Sequence, residues 1–133
     1  MYSFLHAAGA IESRMEKALE RVDLSGAKFA ALTKLVEAGE PLSLTKLAAR
    51  LTCVRSNITQ LVDRLEADGL VRRTEDPEDR RTIRAALTPL GRDRQAAGAE
   101  SMARLQKEVE RALAGLDGRR LESATAKLSG ERS

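Results

Sequence analysis

A run of short polar side chains lies near the middle of the chain. Its members are Arg55, Ser56, Asn57, Thr59 and Gln60, and only an isoleucine interrupts them. An amide group both donates and accepts hydrogen bonds, so Asn57 and Gln60 could each match the edge of a base in the major groove of DNA. The hydroxyls of Ser56 and Thr59 could contact a base or a phosphate. The alternative interpretation is a solvated polar face without a partner.

A second polar segment, rich in arginine, follows toward the C-terminus. Its arginines are Arg72, Arg73, Arg80, Arg81 and Arg84, and the acids among them are Glu75, Asp76, Glu78 and Asp79. Because the two signs nearly balance, bulk charge does not predict a partner for this segment. An arginine at a hairpin tip can, however, enter the minor groove of DNA, whose negative potential attracts it. The competing interpretation is a solvated charged turn, for which a mixture of lysine and glutamate would be more typical.

The composition restricts the classes of function. The 133 residues suffice for one domain, and aromatic residues make up only 2% of them, which argues against a platform that stacks single-stranded bases. The net charge of +3 permits a polyanionic partner without requiring one. The chain has one cysteine (Cys53) and one histidine (His6), which are too few ligands for a typical zinc site and little basis for a Cys/His nucleophile pair. We therefore expect no enzymatic activity, no cofactor and no metal.

A cytoplasmic location is expected on two grounds. A single cysteine forms no intramolecular disulfide, which suits a reducing compartment. No apolar run in the sequence approaches the length that spans a membrane.

Periodicity and capping residues predict the elements that carry the polar run. An amphipathic helix covers about residues 4–22, and Ser25 is placed to begin a second helix. Ser43 begins a third, short helix, and after a break a fourth runs over about residues 55–68. Two short helices joined by a turn of three or four residues form a helix-turn-helix. The polar run would lie in the N-terminal half of its second helix, the half that meets base edges in such proteins.

The second half of the chain predicts a hairpin and a long helix. Residues 70–74 and 82–87 are short extended candidates on either side of the charged turn. Thr88 and Pro89 are an N-cap and a first helical residue, and they begin a helix that continues through Leu116. We therefore predict a mainly α-helical (α+β) protein: a winged helix-turn-helix with a small β-hairpin wing and with N- and C-terminal dimerisation helices.

Within a single domain of residues 1–133, we assign 25–87 to a winged-helix DNA-binding lobe, and 1–24 and 88–133 to a helical dimerisation region. The long helix would measure roughly 40 Å, whereas a compact domain of this size has a radius of gyration of roughly 14 Å. Its protruding apolar stripe predicts packing on a second copy. The alternative is that the terminal helices fold back on their own chain. The residues predicted at the dimer interface are Phe4, Leu5, Ile11, Leu105, Val109, Leu113 and Leu121.

Four ordered segments resemble the MarR family of winged helix-turn-helix transcriptional regulators. They are LAARL at 47–51, RSNITQLVDRLEADGLVRR at 55–73, DPEDRR at 76–81 and LTPLG at 87–91. The resemblance implies a homodimer that binds double-stranded DNA at an inverted repeat, usually to repress genes, and is released by a small molecule or by oxidation. It implies that Arg81 enters the minor groove while Asp79 orients arginine side chains at the base of the wing. Arg80 and Arg84 complete the predicted wing contacts.

The sequence departs from the family pattern before the fourth helix. Where relatives often have glycine, a small apolar residue and a capping Ser or Thr, this chain has Thr52, Cys53 and Val54. Because valine cannot cap a helix through its side chain, the sequence defines the first residue of the fourth helix only to within about one position. The position of Cys53 favours a buried turn residue over a redox sensor. The alternative function is a winged-helix module that binds another protein, which would predict exposed apolar residues on the fourth helix.

A small-molecule pocket, if the chain has one, is expected between the dimerisation helices and the DNA-binding lobe. Its candidate lining residues are Phe4, Met15, Phe29 and Leu32. The same residues suffice as ordinary core, which is the favoured interpretation. The sequence does not identify an effector.

Overall fold

A computed structural model of the chain describes residues 2–51 and 57–115, with side chains described from residue 6 onward. Eight elements follow one another in these ranges: α1 (Tyr2–Glu20), α2 (Gly26–Ala38), β1 (Leu42–Ser43), α3 (Leu44–Arg50), α4 (Ile58–Ala67), β2 (Val71–Glu75), β3 (Ile83–Leu87) and α5 (Pro89–Ala114). The fold is mostly helical with a small antiparallel sheet, as the sequence predicts. The part of the predicted dimerisation region beyond residue 115 lies outside the described residues.

Three helices begin at the predicted capping residues. The Ser25 hydroxyl accepts a hydrogen bond from the Lys28 amide at 3.2 Å, and the Ser43 hydroxyl accepts one from the Lys46 amide at 3.1 Å. Thr88 caps α5 in the same way, because its hydroxyl accepts from the Gly91 amide at 3.0 Å. Each such cap satisfies a backbone N–H that the helix leaves free and contributes about 1 kcal/mol.

The sheet has three strands, one more than the predicted hairpin. β2 and β3 pair in antiparallel register from Val71 opposite Leu87 to Glu75 opposite Ile83. β1 joins the other side of β3, with Leu42 opposite Ala85, so the strand order is β1-β3-β2. A strand of two residues has no periodicity to detect, which explains why the sequence did not predict it. As a result β3 is central and β2 lies at an edge.

One core joins the helices and the sheet. Its largest fully buried side chains are Leu32, Leu35, Leu47, Leu65, Leu70, Val62 and Val71. Burying a side chain of this type contributes about 1.5–3 kcal/mol. Because these residues come from α2, α3, α4, the first residue of β2 and Leu70 just before it, the same core fixes the helix-turn-helix against the wing.

Two glycines let α5 approach the rest of the chain closely. A Cβ atom on Gly91 would lie 1.9 Å from the carbonyl oxygen of Leu70, and one on Gly98 would lie 2.7 Å from Cδ1 of Phe29. Non-bonded atoms cannot approach so closely, so both positions require glycine, which has no Cβ atom. The glycine at position 98 therefore marks a close contact between α5 and α2.

The outer parts of α1 and α5 keep apolar side chains in contact with solvent. Ile11, Met15 and Leu113 are 36%, 41% and 37% exposed, while Val109 is half-buried and Leu105 is buried. The 26 residues of α5 make a helix about 39 Å long, and Leu105 is its last buried residue in the described part of the chain. The side chains of Phe4 and Leu5, and all of Leu121, lie outside the described residues. No helix in the described ranges is long and apolar enough to cross a membrane.

Candidate nucleic-acid interface

Helix α4 has one buried and one exposed face. Leu61, Val62 and Leu65 are buried against the core, whereas Thr59 and Gln60 are exposed. This division follows from 3.6 residues per turn, because positions 61, 62 and 65 lie on one side of the helix. The structure therefore presents an exposed polar surface along the helix that the sequence assigns to base recognition.

The N-terminal end of α4 is described only in part. Asn57 is exposed and occupies the N-cap position, where its side chain makes no capping hydrogen bond, so its amide is not used in beginning the helix. The predicted start at about residue 55 cannot be compared, since Arg55 and Ser56 lie outside the described residues, as do Thr52, Cys53 and Val54. Asn57, Thr59 and Gln60 are thus the predicted base-reading residues that the structure places.

The tip of the wing is ordered by the carboxylate of Asp79. One of its oxygens accepts a hydrogen bond from the Arg81 amide at 3.0 Å, and the other accepts from the Thr82 hydroxyl at 3.1 Å. The turn is closed by the Asp76 amide, which donates to the Thr82 carbonyl at 3.0 Å. Arg80 and Arg81 are both exposed. Asp79 therefore shapes the turn through a backbone amide and a hydroxyl, and the two arginines extend from that turn into solvent.

Arg84 differs from the other wing arginines. It is half-buried on the central strand β3, directly opposite Thr74 on β2 and Ser43 on β1. Its Nε and the hydroxyl of Thr74 are both buried, and neither has a hydrogen-bond partner among the described residues. Its predicted contact with the DNA backbone stays a prediction.

Arg73 on β2 is a residue whose importance the sequence did not reveal. Its guanidinium group donates from Nη1 to Glu66 at 2.8 Å, and from Nη2 both to the Asp63 carboxylate and to the Thr59 carbonyl, the latter at 3.4 Å. The hydrogen bond to Asp63 is the main cause that raises the pKa of Arg73 above its usual value, with Glu66 adding to it and partial burial opposing it. The sequence shows only that these acids and this arginine exist, because their contact depends on how α4 lies against β2.

The sequence and structure comparisons agree with this arrangement. Residues 24–83, which contain the helix-turn-helix and most of the wing, match the family model described as MarR family. The chain belongs to the MarR family.

Three MarR-type relatives illustrate the match. The HTH-type transcriptional regulator YsmB of Bacillus subtilis is 32% identical over 89 residues, which are 67% of this chain and 60% of YsmB. This chain therefore spans less than two-thirds of that curated relative. The crystal structure of YusO from Bacillus subtilis aligns with a TM-score of 0.72 at 26% identity, over 98% of this chain and 92% of YusO.

The third relative is the transcriptional repressor CouR. Its structure bound to a 23-mer DNA duplex aligns with a TM-score of 0.73 at 29% identity, over 96% of this chain and 90% of that one. A structure of CouR from Rhodococcus jostii RHA1 bound to p-coumaroyl-CoA aligns at 28% identity with a TM-score of 0.64, over 96% of this chain and 87% of that one. These neighbours share the winged-helix architecture of the MarR family.

Two clefts in this MarR-type fold lie beside the helices assigned to dimerisation. One, of about 560 Å³, lies where α1, α2 and α5 meet the end of α4, and is lined by Glu20, Asp23, Leu24, Lys28, Asp68 and Arg94. The other, of about 620 Å³, lies between α1 and α5, and its lining includes the basic residues Arg14, Lys17, Arg21 and Arg104. The first lies between the helices assigned to dimerisation and the winged-helix lobe, but its lining does not include Met15, Phe29 or Leu32. Of the residues proposed to line a pocket, Phe29 contacts Gly98, Leu32 is fully buried in the core and Met15 is exposed.

Proposed function

We propose that this protein is a transcriptional regulator that recognises a specific sequence in double-stranded DNA. The observation that carries the proposal is the exposed polar face of α4, with Asn57, Thr59 and Gln60 available for base contacts, beside a wing whose tip exposes Arg80 and Arg81. A helix and a hairpin of this kind suit the major and minor grooves respectively. The likeness to CouR, whose structure contains DNA, supports the same assignment.

The binding unit that we propose is a two-fold dimer. Ile11 and Met15 on α1 and Leu113 on α5 expose apolar side chains whose burial against a second copy would be favourable. A two-fold axis between the terminal helices would place two copies of α4 in successive major grooves, with half-sites about one helical turn apart. Each Arg81 would then enter the flanking minor groove. The predicted operator is an inverted repeat.

Repression and release by a small molecule complete the proposal. CouR is described as a transcriptional repressor and also forms a complex with p-coumaroyl-CoA, which is the basis for expecting both properties here. The cleft at the end of α4 is our candidate for an effector site. It touches α1 and α5 on one side and α2 and α4 on the other, so a ligand there would contact both the dimerisation helices and the lobe.

Selection of random double-stranded DNA with the purified protein, followed by sequencing of the bound pool, tests this function. Enrichment of an inverted repeat with half-sites one turn apart is the expected result. A pool without an enriched sequence, together with binding only at low salt, would overturn the proposal and favour the protein-interaction module. Gln60→Ala should lower the affinity for the selected operator by about tenfold, the range for losing one base contact. Gln106→Ala, which removes an exposed amide on α5 outside the lobe assigned to DNA binding, is the matched control.

A further inference from the structure

The guanidinium group of Arg73 binds three residues that lie along one face of the recognition helix α4. Its acceptors belong to Thr59, Asp63 and Glu66, which are separated by four and then three residues along α4. Residues at this spacing lie above one another on the same helix face. A single side chain on the wing therefore contacts about two turns of α4.

Glu66 makes two hydrogen bonds to Arg73, one to its side chain and one to its backbone. One of its carboxylate oxygens binds the Arg73 guanidinium group, while the other accepts a hydrogen bond from the Arg73 backbone amide at 3.1 Å. Because β2 lies at the edge of the sheet, an amide on its outer side has no neighbouring strand to bind. The helix thus replaces the missing strand at this position, and both the backbone and the side chain of Arg73 are attached to α4.

The charges of this cluster bear on DNA binding. Asp63 and Glu66 are 58% and 41% exposed, so two carboxylates lie at the surface of the helix that is proposed to approach phosphates. Uncompensated, they would repel the DNA backbone. Arg73 is only 26% exposed and already donates to three groups of α4, in contrast to Arg80 and Arg81 at the wing tip. Its position suits it to neutralise the helix rather than to bind a phosphate.

We propose that Arg73 is a positioning residue that joins the recognition helix to the wing. It holds α4 at a fixed orientation relative to β2, so that the base-reading face and the wing tip reach their two grooves together, and it neutralises the carboxylates of Asp63 and Glu66. The inference rests on the proposed DNA-binding function and deepens it. Its main consequence is that Arg73 determines the discrimination between operator and random DNA, although it contacts neither.

Two variants of Arg73 and one control test this inference. Arg73→Lys keeps the positive charge but loses the fork that reaches several acceptors at once, and Arg73→Ala loses both. Arg72→Ala removes the same charge from the neighbouring residue of β2, which is exposed. For each protein, fluorescence anisotropy measures the affinity for the selected operator and for a scrambled duplex over a range of salt concentrations. Thermal unfolding by circular dichroism confirms that each variant is folded at the assay temperature.

The expected result separates geometry from charge. Arg73→Lys should keep the salt dependence of the original protein, while its ratio of operator affinity to scrambled-duplex affinity falls about tenfold. In Arg73→Ala this ratio should fall further. Arg72→Ala should retain the discrimination ratio. Unchanged discrimination in both Arg73 variants would overturn the inference. So would a fall in operator and scrambled affinity by the same factor with a shallower salt slope, since that pattern marks a direct phosphate contact.

Amide hydrogen exchange of the free protein provides a readout that does not depend on DNA. Arg73→Lys should speed exchange in residues 58–67 relative to the original protein, while exchange in α2 stays unchanged. Equal exchange rates in α4 of the two proteins would show that Arg73 does not hold the helix, and the inference would fail. If the original protein itself does not discriminate between duplexes, the proposed function fails, and the exchange measurement still decides whether Arg73 holds α4.

Discussion

Substitution of Gly91 by alanine should strongly destabilise the protein, although alanine is the better helix former. In the interior of an exposed helix this change gains up to about 1 kcal/mol. At position 91, the added Cβ would lie 1.9 Å from the Leu70 carbonyl oxygen and 2.9 Å from its carbonyl carbon. These are backbone atoms of a fully buried residue, so no side chain can rotate away to make room.

The magnitude follows from what must move. Separating α5 from Leu70 stretches the hydrogen bond from the Thr88 amide to the Leu70 carbonyl, now 3.2 Å, and the one from the Thr88 hydroxyl to the Gly69 carbonyl, now 2.6 Å. Each contributes about 1 kcal/mol. Overpacking of the adjoining core adds about 1–3 kcal/mol. After the gain in helix propensity, we expect a net loss of about 2–4 kcal/mol in the free energy of unfolding.

Urea unfolding followed by circular dichroism measures this loss, with Gly26→Ala as the matched control. Gly26 is also in the first turn of a helix, but a Cβ there would have no atom within 4 Å. Its replacement should leave the stability unchanged or raise it by up to about 1 kcal/mol, through the lower entropy of the unfolded chain. If Gly91→Ala proves as stable as Gly26→Ala, the close approach of α5 to Leu70 is refuted.

Three further predictions concern the wing, the terminal helices and pH. Arg81→Ala should weaken operator binding by about tenfold and reduce the slope of log affinity against log salt by about one. An unchanged slope would show that Arg81 does not enter the minor groove. Leu113→Glu should convert the proposed dimer to a folded monomer in sedimentation velocity, whereas Lys107→Glu should not, and a persistent dimer would exclude this part of α5 from the interface. The pKa of Arg73 is raised, so its stabilising contribution is present at all pH values below the usual pKa of arginine and is lost only above it. The stability difference between the original protein and Arg73→Ala should therefore stay constant from about pH 6 to pH 9 in urea titrations; a loss within that range would contradict the assignment.

The sequence by itself determined the types of the described helices and of the hairpin strands, but not that of β1. Ser25, Ser43 and Thr88 could be recognised as caps because a helix start needs an acceptor for its free amides, and this requirement is local. The buried face of α4 was equally predictable, since apolar residues at helical spacing must point to one side. The resemblance to the MarR family rests on the same ordered elements, and the comparisons confirmed it.

The tertiary structure alone decided which distant groups meet. β1 is a strand only because it pairs with β3, and the intrinsic tendency of two residues is too weak to predict a strand from the sequence. Gly91 and Gly98 are required because α5 approaches Leu70 and Phe29, not because of any feature of α5 itself. Arg73 could have been one more solvated arginine. Its role depends on the packing of α4 beside β2, because a salt bridge between elements is set by their relative position, which no local pattern of residues encodes.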